Sequence, residues 1–464
     1  MPEETLIIRG SRVLAEGRIG PGEVWVRDGK IADVLLGDRA RGTRPADGAE
    51  VIDADDLVVM PGLVDTHVHV NEPGRTDWEG FATAGMAAAA GGITTMVVMP
   101  LNCTPAATNV EALLGEARAA AGKCRVDYGF WGGLVPGNVD QLEPMWEAGA
   151  LGFKAFMVDS GVEDFPGSSL DVLVEGAPML AAFGAPLLVH AENAEIIREA
   201  TARSGLADEP TSYAKYEASR PADVEERAVH DLVQICMRNK GLRLHVVHVA
   251  SAGAAVLIHI GATKLGLAIT GETCPHYLTF AAEHVPAGGT IYKCAPPIRK
   301  ADVREELWSW LGRGALSMVV SDHSPCPPAM KMLQTGDFAR AWGGISSLQL
   351  GLSAMASGAR LRGFDLVDLA RWMAENPSVL AGVSRRKGKI APGFDADLVL
   401  FDPDAEWTVD AARLYHRHKI TPYHGRTLRG VVRRTILRGK TIYDASLANP
   451  FPSEPAGRWI KRDQ

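Results

Sequence analysis

Between residues 59 and 387 the chain alternates short apolar runs with alanine-rich stretches of helical composition. Strand-like runs stand at 95–99, 127–131, 152–156, 186–190, 244–248, 267–271 and 317–322, and helical stretches such as 78–90 and 221–240 lie between them. Strand–helix alternation sustained over roughly 330 residues implies parallel pairing, because a helix must return the chain to the same end of the sheet. The count fits an α/β fold of the closed (β/α)₈ type, a TIM-type barrel, with an open doubly wound sheet as the competitor. No GxGxxG or Walker string stands at any strand–helix junction, which removes the common nucleotide-binding form of the open sheet.

Both ends have a different texture. Residues 6–10 and 23–31 are β-rich, with Asp28-Gly29 as a hairpin signal, and the pattern returns at 398–401 and 431–437. The expectation is a small β-sandwich domain built jointly from 1–58 and 388–464, around a barrel at 59–387, the last residues forming a tail. Six cysteines (Cys103, Cys124, Cys236, Cys274, Cys294 and Cys326) form no CxxC pair, so free thiols in a reducing cytoplasm are expected. The opening Met1-Pro2-Glu3-Glu4 does not read as a leader, and no run has the length of a membrane span. A net charge of −8 argues against nucleic acid or anionic membranes as partners.

The polar residues at strand ends carry the chemistry. The run from Met60 stops at His67-Val68-His69, and residues two apart on a strand share a face, so two imidazoles can meet one cation. His190, His248 and Asp322 each close a later run, and Lys154 sits inside another. Barrel enzymes assemble their sites at the C-terminal ends of different strands, so this placement points to a metal site. An ammonium has no lone pair to offer a metal. Taken alone, Lys154 reads as a snorkelling or ion-paired lysine. Among Phe153, Ala155 and Phe156, however, desolvation can free the amine to form a carbamate with CO₂, and the surrounding pattern favours this second reading.

Longer strings sharpen the picture: 64–75 from Val64 to Arg75, Met99-Pro100-Leu101-Asn102-Cys103, Gly152-Phe153-Lys154, His190-Ala191-Glu192-Asn193, 245–251, Glu272-Thr273-Cys274-Pro275-His276-Tyr277, 321–326 and 416–423. Through them the chain resembles the cyclic amidohydrolases of the amidohydrolase superfamily, most of all the allantoinases, over nearly its whole length. The resemblance implies a binuclear centre, with His67, His69 and Asp322 on one divalent cation and His190 and His248 on the other. A carbamate on Lys154 bridges the two. Zn²⁺ is the expected metal, and Co²⁺, Ni²⁺ or Mn²⁺ suit the same donors. A water shared by the two cations becomes the nucleophile, and Asp322 carries its proton to the departing ring nitrogen.

The implied substrate is the small molecule allantoin, handled by a cytoplasmic homotetramer in purine breakdown. Dihydroorotases typically place an arginine where this chain has Asn71, and hydantoinases and dihydropyrimidinases a tyrosine where it has Asp159; both departures favour allantoin. Candidate substrate contacts are Asn71, Asn102, Ser324 and main-chain groups near Cys294 and Gly343-Gly344-Ile345, with Met157 and Trp342 as apolar walls. His323 and Ser324 are placed at the pocket mouth, and His245 and His276 outside the ligand set. The alternatives are a hydantoinase or dihydropyrimidinase activity, and a non-catalytic scaffold of the kind that has lost its ligands. All six ligand positions are present, which speaks for the enzyme.

Overall fold

The computed structural model describes residues 5–37 and 49–463. Met1 to Glu4, on which the absence of a leader was read, lie outside the described residues. Eight barrel strands follow in chain order: Leu63–Val68, Ile93–Val98, Asp127–Phe130 continued by Gly132–Gly133, Phe153–Phe156, Pro186–His190, Arg243–Val246, Ile269–Thr273 and Met318–Val319. All neighbouring pairs are parallel. The ring closes where Val68 pairs with His323, just beyond the last strand. Closure disposes of the open doubly wound sheet. Among the described residues, no helix is long and apolar enough to cross a membrane.

The two termini make one antiparallel-rich sheet, ordered Lys440–Asp444, Thr427–Leu437, Leu398–Thr408, Val58–Pro61, Thr5–Ala15, Arg18–Arg27, Lys30–Leu36, with Glu50–Asp53 alongside Thr5–Ala15. Asp28 and Gly29 both adopt positive φ (52° and 76°), the conformation a two-residue hairpin loop requires. Leu398 faces Pro61 across the join between the N- and C-terminal parts. The sheet wraps a core of its own that includes Ile8, Val24, Ile31, Ala396, Leu398 and Ile436.

Gly62 lets the chain pass from this sheet into the barrel. A Cβ there would lie 2.3 Å from Thr94 Oγ1. The two parts are also pinned by charge. Lys387 Nζ, fully buried, lies 2.6 Å from Asp127 and Asp397 and 3.0 Å from Asp395. These three carboxylates therefore hold an ammonium. The C-terminal stretch returns to the barrel, where the Ile460 amide donates to the Tyr128 carbonyl at 2.8 Å.

Several elements begin or end away from their sequence-read positions. The seventh strand runs Ile269–Thr273, two residues later than expected, and the sixth ends at Val246, leaving His248 beyond it. The eighth is reduced to Met318–Val319. His248 and Asp322 both have positive φ (39° and 43°), so the chain turns at the residues the site needs. Such backbone costs about 1–3 kcal/mol per residue and persists only where the surroundings impose it.

Candidate metal centre

Six side chains from five barrel strands and their ends gather towards the C-terminal mouth of the barrel. Asp322 Oδ1 lies 3.3 Å from His67 Nε2 and 3.5 Å from His69 Nε2. One ligand atom from each of these three residues falls within 4.8 Å of the other two. The His67 ring is 5.5 Å from that of His69 and 5.3 Å from that of His248. His190 Nδ1 and His248 Nε2 approach to 2.9 Å. Lys154 Nζ is 4.8 Å from the centre of the Phe156 ring, which stacks on His190.

The donors fit a pair of divalent cations. Lys154 Nζ and His248 Nδ1 are buried without a hydrogen-bond partner among the described residues. Orphaned polar atoms of this kind are costly unless a further group satisfies them. Burial lowers the Lys154 ammonium to about 7, although Glu272 and Asp322 oppose the shift. A neutral amine is thus available near neutral pH. Burial also pushes the His69, His190 and His248 imidazolium forms down, leaving neutral rings with lone pairs to donate. Burial would raise the Asp322 carboxyl, but His67, His69 and His248 outweigh it and hold the group far below the usual carboxylate range.

The supporting carboxylates were not read from the sequence. Glu272 Oε1 lies 2.5 Å from His67 Nδ1, and its Oε2 lies 2.9 Å from His245 Nε2. His245 is held in turn at 2.7 Å by Thr270. Burial opposes ionisation of Glu272, yet His67 and His245 hold its carboxyl down at about 2. Glu192 Oε2 takes His190 Nε2 at 2.6 Å and is paired with Arg220. Each carboxylate fixes one ring so that the other nitrogen faces the centre. The signals were present, a Glu two residues after His190 and another inside the strand that leads to Cys274.

This arrangement predicts that Glu272→Gln keeps the fold but weakens metal binding about 10–100-fold. Titration against a chromophoric chelator measures it, with circular dichroism as the fold control.

Against the centre lies a cavity of about 500 Å³ lined by His67, His69, His190, His248 and Asp322. Of the expected substrate contacts, Asn102, Cys294, Ser324, Trp342, Gly343 and Gly344 line it, as does Asp159. Asn102 also sets Nδ2 3.2 Å from His69 Nδ1.

Asn71 and Met157 are not part of the lining. Asn71 is fully buried where the chain leaves the first strand, its carbonyl accepting from the Arg75 amide. His323, expected at the mouth beside Ser324, is instead buried beneath the site. Its Nδ1 accepts from the Ser347 amide at 3.1 Å and its Nε2 faces Glu79 at 3.4 Å. The peptide after Asp322 turns, sending the two neighbours in different directions. His276 is buried beside Cys274 and Asp322, and neither ring nitrogen has a hydrogen-bond partner among the described residues.

Residues 58–442 match the sequence model of the amidohydrolase family. The chain belongs to that family. Among curated amidohydrolases it is 46% identical over 463 residues to an allantoinase of Streptomyces avermitilis, covering 100% of both chains. An allantoinase of Saccharomyces cerevisiae is 41% identical, with 98% of each chain covered. Among solved structures, the L-hydantoinase (dihydropyrimidinase) of Arthrobacter aurescens superposes with a TM-score of 0.92 at 31% identity, covering 98% of this chain and 99% of that one. The chain therefore shares its fold with a hydantoinase, while its sequence is more similar to these allantoinases than to that protein.

Proposed function

We propose that this amidohydrolase opens the cyclic amide of allantoin by hydrolysis, giving allantoate. The observation that carries the reading is the end-to-end match to allantoinases at 41–46% identity, against 31% for the hydantoinase of similar shape. His67, His69 and Asp322 would hold one divalent cation and His190 and His248 the other, with Lys154, carboxylated at Nζ, shared between them. Zn²⁺ suits this nitrogen and oxygen donor set, as do Co²⁺, Ni²⁺ and Mn²⁺. Such a pair, when bound, polarises the amide carbonyl and acidifies a water.

The protein's own groups do the rest. Glu272 and Glu192 lock the His67 and His190 rings, so no reorientation is needed during turnover. Asp322 stays ionised because three histidines face it, and its carboxylate oxygen can accept a proton and return it to the ring nitrogen as the C–N bond breaks. Asn102 and Ser324 offer neutral hydrogen-bonding groups from the cavity wall, suited to an uncharged, urea-rich ring.

The test is a comparison of allantoin, hydantoin, dihydrouracil and dihydroorotate with the metal-loaded protein. Allantoin is expected to give the highest kcat/KM, and a chelator to abolish turnover until Zn²⁺ is restored. Faster turnover of dihydrouracil would favour the hydantoinase reading that the shared architecture supports. No turnover of any ring after metal reconstitution would leave the scaffold reading.

A further inference from the structure

Lys331, at the end of the short turn Pro328–Lys331, is 3% exposed and has no carboxylate partner among the described residues. Its ammonium donates instead to three main-chain carbonyls: Lys293 O at 3.2 Å, Trp342 O at 3.1 Å and Gly344 O. These carbonyls belong to two separate segments, 293–295 and 342–344, which together form one wall of the cavity. The segments also bond each other, the Gly344 amide donating to Lys293 O at 2.8 Å.

In a planar trans peptide the N–H points opposite to the C=O. Each carbonyl drawn towards Lys331 therefore turns the following amide, that of Cys294, Gly343 or Ile345, away from it. Ile345 lies in the backbone pairing with His323. The Cys294 and Gly343 amides donate to no other group among the described residues. Three donors on one ammonium match three converging acceptors. A buried cation without a counter-charge is expensive, and burial does lower the Lys331 ammonium from its ordinary range.

We propose that Lys331 is a positioning residue, whose ammonium fixes two cavity-wall peptides so that the Cys294 and Gly343 amides are presented to a carbonyl oxygen of the bound ring. The proposal rests on the ring-hydrolase reading and adds a determinant of substrate affinity remote from the metal ligands.

The test is Lys331→Met in the metal-loaded enzyme. KM for allantoin is expected to rise at least about tenfold while kcat stays within about threefold, the pattern of lost uniform binding. Bound metal is unchanged, and Lys331→Arg, which keeps several donors, recovers part of the loss. Amide exchange should accelerate in segments 290–296 and 340–346 of Lys331→Met and nowhere else. An unchanged KM, or a fall in kcat with KM intact, overturns the proposal.

Wild-type holoenzyme gives an independent check should the variant fail to fold. Allantoate should slow exchange in the same two segments, and no slowing there overturns the proposal. If wild type does not turn over allantoin, the functional reading fails. The ligand-free exchange comparison then still judges whether Lys331 orders the wall.

Discussion

A Lys154→Ala protein is expected to fold normally, to lose its pair of cations, and to retain less than about one thousandth of the wild-type kcat on allantoin. The fold should survive because the lysine contributes little to it. Its amine has no hydrogen-bond partner among the described residues, and burial disfavours its charge. Activity should not survive. Metal-assisted hydrolysis supplies several kcal/mol, and each 1.36 kcal/mol is about a tenfold change in rate. The buried Lys154 amine lies against Phe156 and within electrostatic reach of His69, His190 and His248, which supports the proposed shared ligand, a role a lysine can fill only as a carbamate. Two measurements separate that role from plain packing. Intact mass of the wild type should show one added CO₂ at residue 154. Acetate, entering the space left in Lys154→Ala, should restore part of the metal content and of kcat, because it supplies the two oxygens the alanine lacks. A variant that binds two cations and turns over without added carboxylate would refute the assignment.

How much of this was legible depended on whether a feature is local. The HxH pair was readable because strand periodicity alone puts His67 and His69 on one face, and the Asp28-Gly29 turn because its backbone demands are met within two residues. Positions at strand ends were readable in kind but not in detail. His248 and Asp322 stand past the last paired residue, on positive φ, a conformation set by the loops around them rather than by their own preference.

The supporting shell was readable only in part: Glu192 stands two residues from the ring it holds, whereas Glu272 does not. Glu272 reaches His67 across 205 positions of sequence, and no local pattern links an acid to a ring so distant. Asn71 and His323 failed as cavity residues for a related reason. Each follows a proposed ligand by one or two positions, where a turn decides which neighbour faces the cavity. The Lys331 cluster was invisible because its partners are main-chain carbonyls, which every residue carries.

Asp322→Asn tests the chemical step most directly. Asparagine preserves the size of the side chain and can still offer an oxygen at the position 3.3 Å from His67 Nε2, but it cannot accept and return a proton. General acid–base catalysis is worth about 10²–10⁴-fold, so kcat on allantoin should fall by that amount or more. Because Asp322 also closes the first ligand group, metal content must be measured on the same sample. With both cations retained, the loss belongs to proton transfer. An analogue whose leaving atom needs no protonation, such as a cyclic ester of similar size, should then lose much less than the amide. The contrast is decisive because a ligand defect or a missing proton acceptor depresses both substrates alike, whereas the missing proton donor adds a penalty for the poor leaving group alone. Full activity of Asp322→Asn on allantoin would mean that some other group delivers the proton. Among the groups lining the cavity, none but Asp322 both contacts the two histidines and is held ionised by them.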